Sequence, residues 1–261
     1  MSVCKKHSVN YVISGKAKKE FTENSVIQIK NLFDKKFCEN VQKYIIENEK
    51  IIINRFSHDK KGLVLEDNNS EKLIKYFEYP FSFNRILFGK FSESKIYKVA
   101  ETLLNQNVFI FSMEIHSRIA MGTSIPPHQD NAYYGLKNAK ALTFYIPLSS
   151  QNPYEGGLRY CSNNINNQYE HEISNEKGFS LTIREGNIIN KLNKIDPIFE
   201  AGDCTIHHSR SVHYADKVPA NICRGLVLRM SLFGSEDYQN PDHEKWYNNI
   251  VKQNRLANSE D

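Results

Sequence analysis

From about residue 108 the chain is written in short β-rich runs: NVFIFSMEIHSRIA, KALTFYIPL, GGLRYC, FSLTIR, GDCTIHHS and RGLVLRMSLF. Clusters of Gly, Asn, Pro and Ser separate them. Many short strands with turns between them fit two packed sheets or a barrel, not alternating βαβ units. What precedes them is of a different texture. Asp34 is placed to cap a helix in KKFCENVQKYIIENEK, where Phe37, Val41, Tyr44 and Ile45 share a face. NSEKLIKYFEYP reads as a second helix ended by Pro80, and SESKIYKVAETLLN as a third with Ile96, Val99, Leu103 and Leu104 inward. SVIQIKNLF alternates as a short strand does, and residues 51–67 support no assignment.

The expected architecture is therefore one domain over 1–261, mainly β with added helices. A polar arm covers 1–24, helical support 25–107 and a double-sheet β core 108–232. The stretch 163–197 is a long insert expected to act as a lid, and 240–256 a final helix with Trp246 and Ile250 inward.

Bulk properties narrow the function. The net charge is +4 over 261 residues, and lysines are interleaved with Asp and Glu. No basic stripe marks a nucleic-acid partner. The five cysteines, at 4, 38, 161, 204 and 223, form neither a zinc-ribbon nor a disulfide pattern. Cys204 and Cys223 read as buried small hydrophobes. Neither an apolar signal core nor a membrane-length run is present, so a cytoplasmic protein without membrane contact is expected.

Chemistry concentrates in two places. SIPPHQDNAYYG, residues 124–135, sets His128 and Asp130 one residue apart. In extended backbone such residues point the same way, so both can reach one ion while Gln129 points elsewhere. The second place is GDCTIHHSRSVHYADKVPANICRGLVLR, residues 202–229, where His207, His208 and His213 compete to be a third ligand. Two His and one carboxylate on one face of a metal leave the other face open, as non-heme Fe(II) requires. Arg224 could clamp a dicarboxylate through its planar fork. Arg229, five residues later, faces the other side and reads as a surface ion-pair partner. Glu114, His116 and Arg118 share one strand face that lines a pocket or meets solvent. His7, His58, His171 and His243 read as surface residues.

HQDNAYYG, the EGGL turn at 155–158, GDCTIHHSRSVHYA and an arginine eleven residues after His213 together resemble the phytanoyl-CoA dioxygenase-type Fe(II)/2-oxoglutarate oxygenases, over roughly 108–232. The resemblance implies a double-stranded β-helix, a cupin-like jelly roll with helices packed on one sheet. It selects His213 as the third iron ligand beside His128 and Asp130. It implies Fe(II), 2-oxoglutarate and dioxygen, with Arg224 on the distal carboxylate and His116 and Thr143 also at the co-substrate. Arg118, Asn131, Tyr133 and Arg159 are expected at a small-molecule substrate, and no catalytic group beyond the iron and its ligands.

The expected reaction is hydroxylation of an unactivated C–H, with release of succinate and CO2. Halogenating relatives lack the carboxylate ligand, whereas Asp130 is present; desaturation and ring closure share the same hydrogen abstraction. An amino acid or a biosynthetic intermediate is the leading substrate. An acyl group on coenzyme A or a carrier protein is the alternative, and a metal-retaining jelly-roll binding protein is the reading from another class. One departure stands out. After EGGL the relatives commonly continue to Pro-Gly-Ser-His, while this chain reads RYCSNNINNQYEH, so its substrate need not be theirs.

Overall fold

The structure, a computed structural model, describes residues 13–59, 62–68, 71–176, 178–221 and 224–258. Helices α1 (Gly15–Asn24), α2 (Lys35–Glu47) and α3 (Glu49–Phe56) accompany a first strand, β1 (Val26–Ile29). The hairpin β2 (Leu63–Asn68) and β3 (Glu71–Phe77) leads through α4 (Pro80–Phe83) and α5 (Arg85–Gly89) to α6 (Ser94–Leu104). The β core then runs through β4 (Val108–Arg118), β5 (Ile125–His128), the single turn α7 (Asn131–Tyr134), β6 (Ala141–Pro147) and β7 (Arg159–Cys161). It continues through β8 (His171–Ile173), β9 (Leu181–Ile183), α8 (Ile188–Lys191) and β10 (Lys194–Ile195). Strands β11 (Cys204–His208), β12 (Val212–Ala215) and β13 (Gly225–Gly234) complete it, and α9 (Pro241–Asn258) follows.

Two antiparallel sheets face each other as a jelly roll. The larger has the order β1-β11-β6-β13-β4-β3-β2 and the smaller β10-β7-β12-β5. Strand β13 shows why its sequence is nearly all apolar. Leu226, Leu228, Met230 and Leu232 pack with Val41, Ile45, Ile96 and Val99 of the helices, while Val227 joins Ile125, Tyr145, Leu158 and Tyr160 between the sheets. Both faces are covered, as for a central strand between two layers. Each large apolar side chain so buried contributes about 1.5–3 kcal/mol.

The helix caps follow the sequence: Asp34 accepts from the Phe37 amide at 2.7 Å and starts α2. The expected helix over NSEKLIKYFEYP is instead β3. Its register with β2 passes from Val64 opposite Tyr76 to Leu65 opposite Ile74, leaving Lys75 as the extra residue of a bulge. The bulge turns Ile74 and Phe77, three apart, into one core, and that spacing imitates a helix. The arm is also shorter than expected, because α1 is held from residue 15 on by buried Phe21; residues 1–12, with His7 and Cys4, lie outside those described. The end of the 163–197 stretch is no insert, since β10 pairs with β7 inside the smaller sheet. In α9 Ile250 is buried, but Trp246 is exposed. Cys38, Cys161 and Cys204 are buried free thiols, and Cys223 is outside the described residues. Among the described residues no helix is long and apolar enough to cross a membrane.

Candidate metal centre

Strand β5 tolerates Pro126 and Pro127 because it is an edge of the smaller sheet, where an absent N–H breaks no ladder. The strand stops at His128. Asp130 has helical dihedrals and opens the turn α7, so the pair converges through a turn and not through extended alternation. Gln129 does point away, with its amide oxygen accepting from the Tyr169 backbone and its nitrogen donating to the Asn167 carbonyl. His213 on β12 is the register partner of His128 across the sheet. The three side chains offer ligand atoms that all lie within 4.8 Å of one another, and all three are buried.

Tautomers can be read from the partners. Nδ1 of His128 donates to the Pro126 carbonyl at 2.8 Å, and Nδ1 of His213 donates to the Ser211 carbonyl at 3.0 Å. A carbonyl only accepts, so each Nδ1 carries the hydrogen and each Nε2 keeps its lone pair. Those nitrogens stand 3.7 and 3.6 Å from Asp130 Oδ1. Burial, then the neighbouring His128 and His207, hold the His213 imidazole well below its usual pKa, hence neutral.

His207 is the contrary case. Its Nε2 donates to Asp130 Oδ2 at 3.1 Å, and its Nδ1 lies 3.1 Å from the Tyr160 hydroxyl. Both nitrogens are engaged, so it supports the carboxylate and offers no free lone pair. His208 faces the other way, toward Phe21.

Asp130 Oδ2 also accepts from the Thr143 hydroxyl at 2.6 Å and forms an ion pair with Arg229 Nη2 at 2.9 Å. Burial alone would raise this carboxyl's pKa, but Arg229 and the surrounding imidazoles outweigh it and hold the group ionised, well below the usual range. Arg229 bonds Glu114 as well, at 2.9 Å. Burial would likewise raise Glu114, yet Arg229 and His116 bring it down to about 2.

The centre opens into a cavity of about 600 Å3, lined among others by Glu66, Lys75, Tyr76, Glu114, His116, Arg118, Tyr133, Phe179 and Tyr247. The loop of the β8–β9 hairpin lines it through Gly178, Phe179 and Ser180. The amide of Leu181 donates to the Tyr133 hydroxyl, and the Thr182 hydroxyl donates to the Pro127 carbonyl. His171 is part-buried there and accepts from the Gln129 amide at 3.0 Å. His243 is part-buried too, donating to the Ala132 carbonyl, while His58 is exposed.

Several nominated residues lie elsewhere. Arg224, immediately before β13, forms a bidentate pair with Glu49 of α3, at 2.8 and 2.7 Å, outside the cavity. Strand parity is the reason: the cavity-facing positions of β13 are odd, so Arg229, read as a surface residue, is the one that enters. Arg159 is held by Asp196 and Asp216 outside the cavity. Asn131 spends its side-chain amide on the Leu136 carbonyl within the α7 turn. Thr143 reaches Asp130 and is not a lining residue. His116, Arg118 and Tyr133 do line the cavity. Sequence reading missed Lys75, hidden in the supposed helix; it is buried, pairs with Glu66 at 3.7 Å and lies over the Phe179 ring.

No protein-family profile matches the chain, and no curated protein matches it significantly. Solved structures do. EctD from S. alaskensis superposes with a TM-score of 0.70 at 14% identity, covering 87% of this chain and 79% of its own. EvdO2 from Micromonospora carbonacea var. aurantiaca gives 0.68 at 12% identity, covering 90% and 96%. The non-heme alpha-ketoglutarate-dependent epimerase SnoN of nogalamycin biosynthesis gives 0.64 at 15%, covering 86% and 85%. The chain shares the cupin-like jelly-roll fold of these proteins, which agrees with the two-sheet core described above.

Proposed function

We propose that this protein is an Fe(II)- and 2-oxoglutarate-dependent oxygenase of the phytanoyl-CoA dioxygenase type, acting on a small molecule. The observation that carries the reading is the donor set: two imidazoles fixed as Nδ1–H tautomers, with both Nε2 lone pairs turned toward one oxygen of a buried carboxylate. Such a triplet fits a divalent iron and covers only part of its coordination sphere. The shared fold supports the reading, since structures of EctD hold Fe, and in another case 2-oxoglutarate with 5-hydroxyectoine.

Iron with 2-oxoglutarate would supply the activation of dioxygen for oxidation of a C–H bond, with succinate and CO2 released. His128, Asp130 and His213 would hold the metal. Thr143, His207 and Arg229 fix the carboxylate so that one oxygen stays turned to the imidazoles. Phe179 and Tyr133 line one wall and would exclude water there, and the β8–β9 hairpin, whose loop lines the cavity, would serve as a lid. The remaining polar wall, with Lys75, Glu66, Tyr76 and His116, suits a small metabolite bearing charges, such as an amino acid or a biosynthetic intermediate, and hydroxylation is the favoured outcome.

The test is succinate formation with Fe(II), 2-oxoglutarate and ascorbate, screened over amino acids and related carboxylates. Stimulation by one substrate, abolished in His128→Ala and Asp130→Ala, is the expected result. Turnover unchanged in both variants would remove these residues from the chemistry. Metal binding without any 2-oxoglutarate consumption would favour a binding protein.

A further inference from the structure

Among the described residues that line the cavity, the permanent cations are Lys75, Arg118 and Arg229. Two of them are already neutralised, Lys75 by Glu66 and Arg229 by Glu114 and Asp130. Arg118 is only 6% exposed and is in no ion pair among the described residues. Its Nε donates to the Gly156 carbonyl at 2.7 Å and its Nη2 to the Asp216 carbonyl at 2.6 Å. Both acceptors are neutral. A guanidinium has five N–H donors and stays protonated, so three remain, two on Nη1 and one on Nη2. A buried charge without a counter-ion is costly, and its position on a cavity wall says where the missing anion enters.

The neighbouring residues hold Arg118 in place without opposing its charge. Gly156, whose carbonyl steers Arg118, has φ +83°, and a Cβ there would meet Val218 at 2.5 Å, so the EGGL turn needs glycine. Opposite Arg118 on β13 stands Gly225, where a Cβ would come within 2.8 Å of Gln151 Nε2. The last strand therefore carries no side chain of its own beside Arg118. Gln151 Nε2 is itself buried without a partner, a second unsatisfied donor beside the same position.

We infer that Arg118, on β4, anchors the carboxylate of the 2-oxo dicarboxylate co-substrate that does not bind the metal, the role the sequence resemblance gave to Arg224. This rests on the oxygenase reading. A planar fork with its outer edge open matches a carboxylate with two parallel hydrogen bonds. Arg224 and Arg229 keep their protein carboxylates.

The experiment uses the purified full chain under anaerobic conditions. Binding of 2-oxoglutarate and of 2-oxobutyrate, which lacks the second carboxylate, is measured by calorimetry with Co(II) and by visible absorption with Fe(II). Arg118→Met is expected to weaken 2-oxoglutarate at least ~10-fold. It should leave Co(II) affinity and 2-oxobutyrate binding at the wild-type level. Arg118→Lys, which keeps the charge without the fork and disturbs folding less, should show the same selectivity to a smaller degree. Wild-type 2-oxoglutarate affinity in both variants, or equal loss for the two acids, would overturn the assignment. A wild-type protein that binds metal and neither acid would instead overturn the oxygenase reading, and this inference with it.

Discussion

Arg229 forms an ion pair with Asp130 Oδ2 at 2.9 Å, from the middle of the strand that also forms the core of the larger sheet. This contact divides the carboxylate. Oδ2 is engaged by Arg229, Thr143 and His207, and Oδ1 is the oxygen left to face the two imidazoles. A buried carboxylate needs a counter-charge, and without metal that charge is Arg229.

Removing that cation is expected to act on the metal-free protein most. Arg229→Met leaves Asp130 and Glu114 buried without their guanidinium, at a cost of about 3–5 kcal/mol. A divalent ion replaces part of the lost charge, so Co(II) or Mn(II) should raise the melting temperature more in the variant than in the wild type. Thermal unfolding with and without metal decides it. Equal metal-free melting temperatures would show that the pair contributes nothing.

Thr143 acts on orientation alone, because its hydroxyl is neutral and donates to Asp130 Oδ2 at 2.6 Å. Thr143→Val keeps the shape and loses the bond. Partners of this kind are worth roughly 10–100-fold in metal affinity. A loss in that range by Co(II) titration, with the far-UV circular dichroism unchanged, is the expected outcome; wild-type affinity would count against a positioning role.

The Arg224–Glu49 pair ties β13 to α3, and Arg224 also donates to the Ile74 carbonyl. It is largely shielded from water, and breaking it by Glu49→Ala should cost about 3 kcal/mol. Metal and 2-oxoglutarate affinities should not change. Denaturant unfolding together with calorimetry separates the two roles, and a selective loss of co-substrate binding would return Arg224 to the site.

The legible parts of this protein are those where local pattern and tertiary role agree. The two-sheet core shows in the strands because turn clusters separate them, and α6 shows because Ile96, Val99, Leu103 and Leu104 are all buried on one face. The convergence of His128, Asp130 and His213 was legible through their spacing and the resemblance, although the turn at Asp130 was not. Strand β3 was hidden because a bulge at Lys75 gives a strand the i, i+3 spacing of a helix. Arg224 and Arg229 were exchanged for a subtler reason. Both faces of β13 are buried, so apolar alternation gives no inside and outside, and only the packed helices reveal that Leu226 and Leu228 turn away from the cavity. Arg118 carries no motif at all; its significance is that no carboxylate among the described residues pairs with it, a property of the folded state.

His171 makes the docking of the β8–β9 hairpin sensitive to pH. Its Nε2 accepts from the Gln129 amide and its Nδ1 donates to the Tyr169 carbonyl, an arrangement that needs the neutral ring. Burial, with a smaller contribution from nearby His128, lowers its pKa from 6.5 to about 4. The folded value lies below the unfolded one, so the undocked hairpin takes up the proton first. The stabilisation is complete above pH 6.5 and is lost as the pH falls through the window down to about 4. Hydrogen exchange of the metal-loaded protein, corrected for intrinsic rates, should show hairpin amides roughly tenfold less protected at pH 5 than at pH 7.5. His171→Gln keeps an acceptor for the Gln129 amide and removes the titration, so its hairpin protection should be nearly flat over that range. A wild-type hairpin equally protected at both pH values, or a glutamine variant with the same pH dependence, would place the sensitivity in another group.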